Sequence, residues 1–135
     1  MTDQPTVTAL TPYLAVGDAR RAIEWYGEIF AARSVGEPIV MSDGRIGHAE
    51  LAIGGAVLYL SDEYPELGVR SPIGYGGSPV SLVVTVPDAD TTFDAAVEAG
   101  ATVERPVADL DHGHRGGWLT DPFGHRWNVS TPLSS

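Results

Sequence analysis

The sequence predicts an α+β fold: two tandem β-α-β-β-β modules forming a curved mixed sheet around a cavity, with the helices on the outer face. Three observations predict it. Val86-Pro-Asp-Ala89 repeats Val16-Gly-Asp-Ala19 seventy residues on, and Phe93 falls where Ile23 fell. Gly124-His-Arg-Trp-Asn128 echoes Gly55-Ala-Val-Leu-Tyr59 at an offset of 69. A period near half the chain marks one supersecondary unit used twice. Finally, 135 residues suit one compact domain, so the two halves share a core or exchange parts with a second copy. The expected boundaries are about 8–62 for the first module, 63–79 for a linker and about 80–131 for the second module.

Residues 1–10 read as a loose leader. Tyr13 to Val16 form a short strand between Pro12 and Gly17-Asp18. Asp18 caps a helix over about 19–31, whose Ala22, Ile23, Tyr26, Ile29 and Phe30 form one apolar stripe. Arg33 to Met41 is extended, interrupted by Gly36 and Pro38, and Ser42-Asp-Gly-Arg45 is a turn. Ile46–Ile53 and Val57–Ser61 make a hairpin around Gly54-Gly55. Its alternation puts Ala49, Leu51, Ile53, Leu58 and Leu60 on one face and His48, Glu50, Tyr59 and Ser61 on the other. In the second half, Ser81–Val86 is a strand, and Asp88 caps a helix with Phe93, Ala96 and Val97 inward, ended by Gly100. Thr102–Val107 is extended. A loop over Asp109–His114 follows, with His112-Gly-His-Arg-Gly-Gly117 read as a mobile, glycine-rich rim. Trp118–Thr120 and Arg126–Ser130 close a hairpin turned by Asp121-Pro-Phe-Gly124. The linker is rich in Gly, Pro, Ser and Tyr, and a connection of that length is functional or spans units.

Composition removes several functions. A net charge of −10 opposes nucleic-acid binding, which needs Lys and Arg on phosphates. It fits a cationic ligand or an acidic surface kept for solubility. No apolar run is long enough for a membrane helix, and the first residues lack the basic and apolar regions of a signal peptide. Zero cysteines exclude disulfides and thiolate chemistry, and a cytoplasmic location is expected. There is no Gly-x-Ser-x-Gly elbow, and Gly74-Tyr-Gly-Gly77 does not match a phosphate loop.

Thr11-Pro-Tyr-Leu14 with Gly17-Asp18, Gly47-His-Ala-Glu-Leu51, Leu58-Tyr-Leu-Ser-Asp62 and Asp121-Pro-Phe-Gly-His-Arg-Trp127 carry a resemblance over nearly the whole chain. They resemble the vicinal oxygen chelate superfamily, which includes glyoxalase I, extradiol dioxygenases, fosfomycin-resistance enzymes and bleomycin-resistance proteins. The match is nearest to its PhnB-like, glyoxalase/bleomycin-resistance branch. The resemblance implies a homodimer with ligand crevices between subunits. It also implies four inward strand positions that hold a divalent metal in the superfamily's enzymes, here Thr11, Tyr59, Ser81 and Asn128. A hydroxyl, a phenol and an amide cannot replace imidazole and carboxylate for such a metal. No metal or other cofactor is therefore expected.

Alternation extends the inward set to Tyr13, Val57, Val83, Arg126 and Ser130, with His48 and Glu50 beside them and Trp118 opposing core-facing Leu119. The expected ligand-binding residues are Tyr13, His48, Glu50, Tyr59, Ser81, Val83, His112, Arg115, Trp118, Arg126 and Asn128. Aromatic faces with a few hydroxyls and charges suit a planar, largely apolar or cationic aromatic molecule. The expected function is metal-free binding and sequestration of such a compound, as in antibiotic-binding members of the superfamily. The alternative is a lyase, isomerase or dioxygenase with a non-standard histidine metal set or metal-free acid–base chemistry at His48 and Glu50. A divergent interaction module is the third reading. Trp25 and Trp127 are assigned to the core, and His48 and His125 to hydrogen-bonded positions near a strand end and a turn.

Overall fold

A computed structural model describes residues 5–133. Residues 1–4 of the predicted leader lie outside the described residues, and residues 5–12 carry no regular structure. The first module runs β1 (Tyr13–Val16), α1 (Ala19–Phe30), β2 (Arg33–Ser34), β3 (Ile39–Val40), β4 (Ile46–Ile53) and β5 (Ala56–Asp62). The second runs β6 (Ser81–Thr85), α2 (Ala89–Glu98), β7 (Thr102–Asp109), β8 (His114–Thr120) and β9 (Arg126–Pro132). Short 3-10 turns at Pro65–Leu67 and Pro72–Tyr75 fold the connection between them.

The internal repeat survives in atomic detail. One sheet is ordered β1-β5-β4-β2, with β3 also on β4, and the other β6-β9-β8-β7. In each, the module's first strand pairs in parallel with its last, while the remaining pairs are antiparallel. Tyr13 stands opposite Tyr59, and Val83 opposite Asn128, so both repeat offsets meet in equivalent ladder rungs. Asp18 and Asp88 have nearly the same extended backbone, with φ −148° and −143°. Each carboxylate accepts from a first-turn N–H, that of Arg21 or Asp90, satisfying an otherwise orphaned donor.

Alternation assigns the faces as expected. Leu14, Val16, Ala49, Leu51, Leu58 and Leu60 are buried toward the helix side of the first sheet, as are Leu119, Trp127 and Val129 in the second. Trp25 and Trp127 are both core residues, 2% exposed. On α2 the buried positions are Ala89, Phe93 and Ala96. Val97, expected to point inward, is exposed at the edge of the stripe formed by Ala89, Phe93 and Ala96.

The second hairpin is longer than predicted. β8 begins at His114, so Gly116 and Gly117 belong to a central strand and not to a mobile rim. The reason is close approach. A Cβ on Gly117 would lie 2.8 Å from the Arg105 carbonyl oxygen and 2.9 Å from the Phe93 ring. One on Gly116 would lie 2.7 Å from the Val129 carbonyl oxygen. Glycine here lets α2 and the neighbouring backbone close onto the sheet.

The modules share a core through an aromatic cluster of Trp25, Tyr26, Phe30, Phe123 and Trp127, and Phe30 and Trp127 have ring centroids 4.7 Å apart. At its centre the buried Asp121 carboxylate accepts from the Tyr26 hydroxyl, from Trp127 Nε1 at 2.8 Å and from the Phe123 and His125 amides at 2.9 and 3.0 Å. Two further contacts cross between modules: Trp25 Nε1 donates to the Ala99 carbonyl at 2.9 Å, and His125 Nε2 to the Ala15 carbonyl at 2.8 Å.

Removing the carboxylate leaves four donors without their acceptor. Asp121→Ala is expected to lower unfolding free energy by roughly 3 kcal/mol or more, and Tyr26→Phe by about 1–2 kcal/mol, read from urea midpoints. Burial, first, and then the adjacent Asp121 charge push the Tyr26 phenol well above its ordinary range. The unfolded chain therefore loses that proton at lower pH than the native state does. Stability should fall as pH rises above about 10, and Tyr26→Phe should flatten that fall.

Candidate functional site

With the helix-side faces filled, the opposite faces of the two sheets are left open. On the first, Tyr13, Tyr59 and Glu50 form a row across β1, β5 and β4. His48 lies between them: Tyr13 Oη is 2.8 Å from His48 Nδ1, and His48 Nε2 is 3.0 Å from Glu50 Oε2. Glu50 can only accept while ionised, so Nε2 carries the proton it donates. In the neutral ring Nδ1 is then the acceptor for the Tyr13 hydroxyl. If the ring gains a proton, Nδ1 donates to Tyr13 Oη, which turns its own hydrogen to the Gly47 carbonyl, 3.2 Å away. The chain stays satisfied in both states. Tyr59 meets both rings edge to face, with centroids 4.8 Å from His48 and 5.6 Å from Tyr13. Partial burial, first, and then Tyr64 raise the Tyr13 phenol, so this hydroxyl is kept neutral.

Beside this chain lies a cavity of about 570 Å³, lined by Tyr13, Ile39, Met41, His48, Tyr64 and Val69 among others. Its outer wall is the start of the connection between modules, held by Arg45. That guanidinium bonds the Glu63 carbonyl at 3.1 Å and the Glu66 carboxylate at 2.6 Å, and it covers the Tyr64 ring at 3.9 Å. On the second sheet a cavity of about 320 Å³ is lined by Val83, Thr85, Leu110, His112, His114, Trp118, Asn128 and Ser130. Trp118 is stacked by Arg105 at 3.9 Å. A third cavity of about 500 Å³ lies at the seam, between Val57-Leu58 with the Gly54-Gly55 turn and Leu82–Pro87.

Tyr13, His48, Glu50 and Tyr59 are thus brought together on the first module, and Val83, His112, Trp118 and Asn128 on the second. Ser81 and Arg126 face each other in register on β6 and β9. Arg115 is the correction. Its side chain turns to the helix side, where Asp90 on α2 takes it at 2.8 Å and Asp109 at 3.0 Å, because β8 is already alternating at that residue. Sequence reasoning missed Met41, Tyr64 and Asp121. Only the Asp-Pro-Phe-Gly turn signalled the last, and nothing local signalled the first two.

The residues do not fit a divalent metal. None of the three cavities is lined by Thr11, Tyr59 or Ser81, and Asn128 has its amide nitrogen on the Gly117 carbonyl at 3.2 Å. Among the described residues no three His, Asp or Glu side chains gather as a ligand set. No described helix is long and apolar enough to cross a membrane.

Comparison with known proteins places this geometry. The family model described as Glyoxalase/Bleomycin resistance protein/Dioxygenase superfamily matches residues 6–129. An uncharacterized protein of Mycobacterium bovis is 41% identical over 128 residues, covering 93% of this chain and 84% of the relative. Protein PA1353 from Pseudomonas aeruginosa aligns with a TM-score of 0.76 at 25% identity, over 95% of this chain and all of the other (100%). TioX from Micromonospora sp. ML1 aligns at 0.67 and 25% identity, over 95% and 98%.

Arg45→Ala should loosen the wall of the first-module cavity without unfolding the protein. Amide hydrogen exchange is expected to speed up by at least tenfold over residues 64–69 and to stay unchanged along β8 and β9.

Proposed function

This chain belongs to the Glyoxalase/Bleomycin resistance protein/Dioxygenase superfamily, and on that premise we propose that it is a metal-free protein that binds and sequesters a small aromatic molecule. The observation that carries the reading is chemical. The four positions that would grip a cation hold Thr11, Tyr59, Ser81 and Asn128, while the same sheet faces present aromatic and apolar walls. Cavities of about 320 and 570 Å³ suit drug-sized or smaller ligands. Each aromatic stack adds on the order of 1 kcal/mol beyond burial, enough for a few to hold a flat ring without reaction.

The protein acts as a homodimer in this proposal. Leu10, Tyr13, Val57 and Val83 are 93%, 54%, 40% and 65% exposed near the seam and on the open faces, an apolar surface that a second copy covers. One specific observation favours a second reading, an isomerase or lyase without metal. The Tyr13–His48–Glu50 chain is the arrangement in which a carboxylate orients a histidine so that it can exchange a proton with a hydroxyl.

Titration with flat aromatic compounds is expected to quench tryptophan emission at micromolar concentration, with the compound recovered unchanged, while sedimentation gives a dimer mass. Recovery of a transformed compound replaces the binding reading with the enzyme reading. In that case Tyr13→Phe and Glu50→Gln should each lower turnover about tenfold or more with binding retained. Failure of a broad panel to bind overturns both.

A further inference from the structure

Arg126 carries a guanidinium nitrogen that this fold encloses without an acceptor. Arg45 is paired with Asp43 and Glu66 and Arg115 with Asp90 and Asp109, while Arg105 lies over the Trp118 ring and Arg70 over that of Tyr75. Arg126 is half-buried, its Nε is shut away from solvent without an acceptor, and its guanidinium forms no ion pair among the described residues. A polar N–H enclosed in this way is unfavourable unless something supplies the missing acceptor. Glu104, one strand beyond the neighbouring β8, has its Oε1 on the Thr120 hydroxyl at 2.6 Å.

The surroundings say where the missing acceptor belongs. β9 lies between β6 and β8, and Arg126 stands in register with Ser81 on one side and Thr120 on the other. Its neighbours Trp127 and Val129 are buried against the helices, so alternation puts Arg126 on the open face with Asn128 and Ser130. Those two line the second-module cavity together with Val83, Leu110 and Trp118, while Arg126 and Ser81 stand just outside that lining, two residues along β9 and β6 from Asn128 and Val83. Two residues along a strand is about 7 Å, the length of a fused aromatic ring pair. The Ser81 hydroxyl, directly opposite, has no hydrogen-bond partner among the described residues.

We propose that the guanidinium of Arg126, with the Ser81 hydroxyl, receives the carboxylate of an aromatic acid whose ring lies against Trp118 and Val83. The inference rests on the binding reading above and narrows it. A planar apolar body is kept, and a cationic ligand is excluded in favour of an anionic one. Guanidinium and carboxylate match as paired N–H and oxygen, and a half-buried pair is screened less than a surface one.

The test uses naphthoate, naphthamide and naphthylmethylammonium as probes, titrated calorimetrically into the full chain at pH 8, where ordinary histidine is neutral. Naphthoate is expected to bind about tenfold more tightly than the amide, with the ammonium weakest. Arg126→Gln should bring naphthoate down to the level of the amide, with an unchanged urea midpoint showing that the variant is folded. Arg126→Lys should recover part of the difference, because it restores charge but not the planar fork. Equal binding of acid and amide overturns this inference while the binding reading stands. So does an acid preference that survives Arg126→Gln, which assigns it to a group other than this guanidinium. A loss of dimer in Arg126→Gln without any acid preference gives the guanidinium to a carboxylate of the second copy and also overturns it. Absence of binding by all three probes overturns this inference and the reading beneath it together.

Discussion

The buried carboxylate of Asp121 is the point on which the two modules turn. Hydroxyl, indole and backbone donors from α1, the 121–124 turn and β9 all end on its two oxygens. An aromatic cluster that joins the modules could not be closed over these polar atoms without a common acceptor, since each unpaired one costs about 1–3 kcal/mol. Asp62 plays the corresponding part within the first module, accepting from the Ala19 amide at 2.8 Å and the Ile46 amide at 2.6 Å. Helix starts and strand starts are therefore tied to the same carboxylates. Packing follows: with the helices locked inward, one face of each sheet is committed to the core and the other is left open.

That division explains what was legible in the sequence. The duplicated Val-x-Asp-Ala segment and the Gly55–Tyr59 echo contained the topology, because a repeated unit with parallel first and last strands can close in few ways. Alternation along β4, β5 and β9 contained the faces. The contacts that make a site out of these faces lie between residues far apart in the chain: Tyr13 with His48, Met41 and Tyr64 at one wall, Tyr26 with Asp121. Nothing in a local window reports such pairs. Local composition misled in one place, reading Gly113 to Gly117 as a flexible rim when Gly116 and Gly117 sit in a strand that tolerates no side chain. Arg115 was misassigned for the same reason, since its face follows from where β8 begins.

The two halves have diverged on their open faces while keeping their ladders. Where the first module has Tyr13 and Tyr59, the second has Val83 and Asn128, and where the first has Val57 the second has Arg126. On the first face each polar group of the Tyr13–His48–Glu50 chain already holds a partner, although the buried Tyr64 hydroxyl in the cavity wall has none. On the second, the group without a partner is a guanidinium nitrogen, that of Arg126. A satisfied chain can pass a proton. An unpartnered cation demands an anionic or carbonyl oxygen.

Electrostatics then sets how such a group is recognised. The net charge of −10 repels an anion at long range, while a half-buried guanidinium attracts it only at contact. Salt at physiological strength damps the first effect beyond about 8 Å and leaves the enclosed contact largely intact. Added salt therefore acts on approach and on contact in opposite senses, and a salt titration alone would read the difference between them. Replacing a carboxylate by its neutral amide changes the contact while holding shape and buried area fixed. The discrimination between those two isosteres is the quantity that belongs to Arg126, because neither the aromatic walls nor the cavity volume can tell them apart.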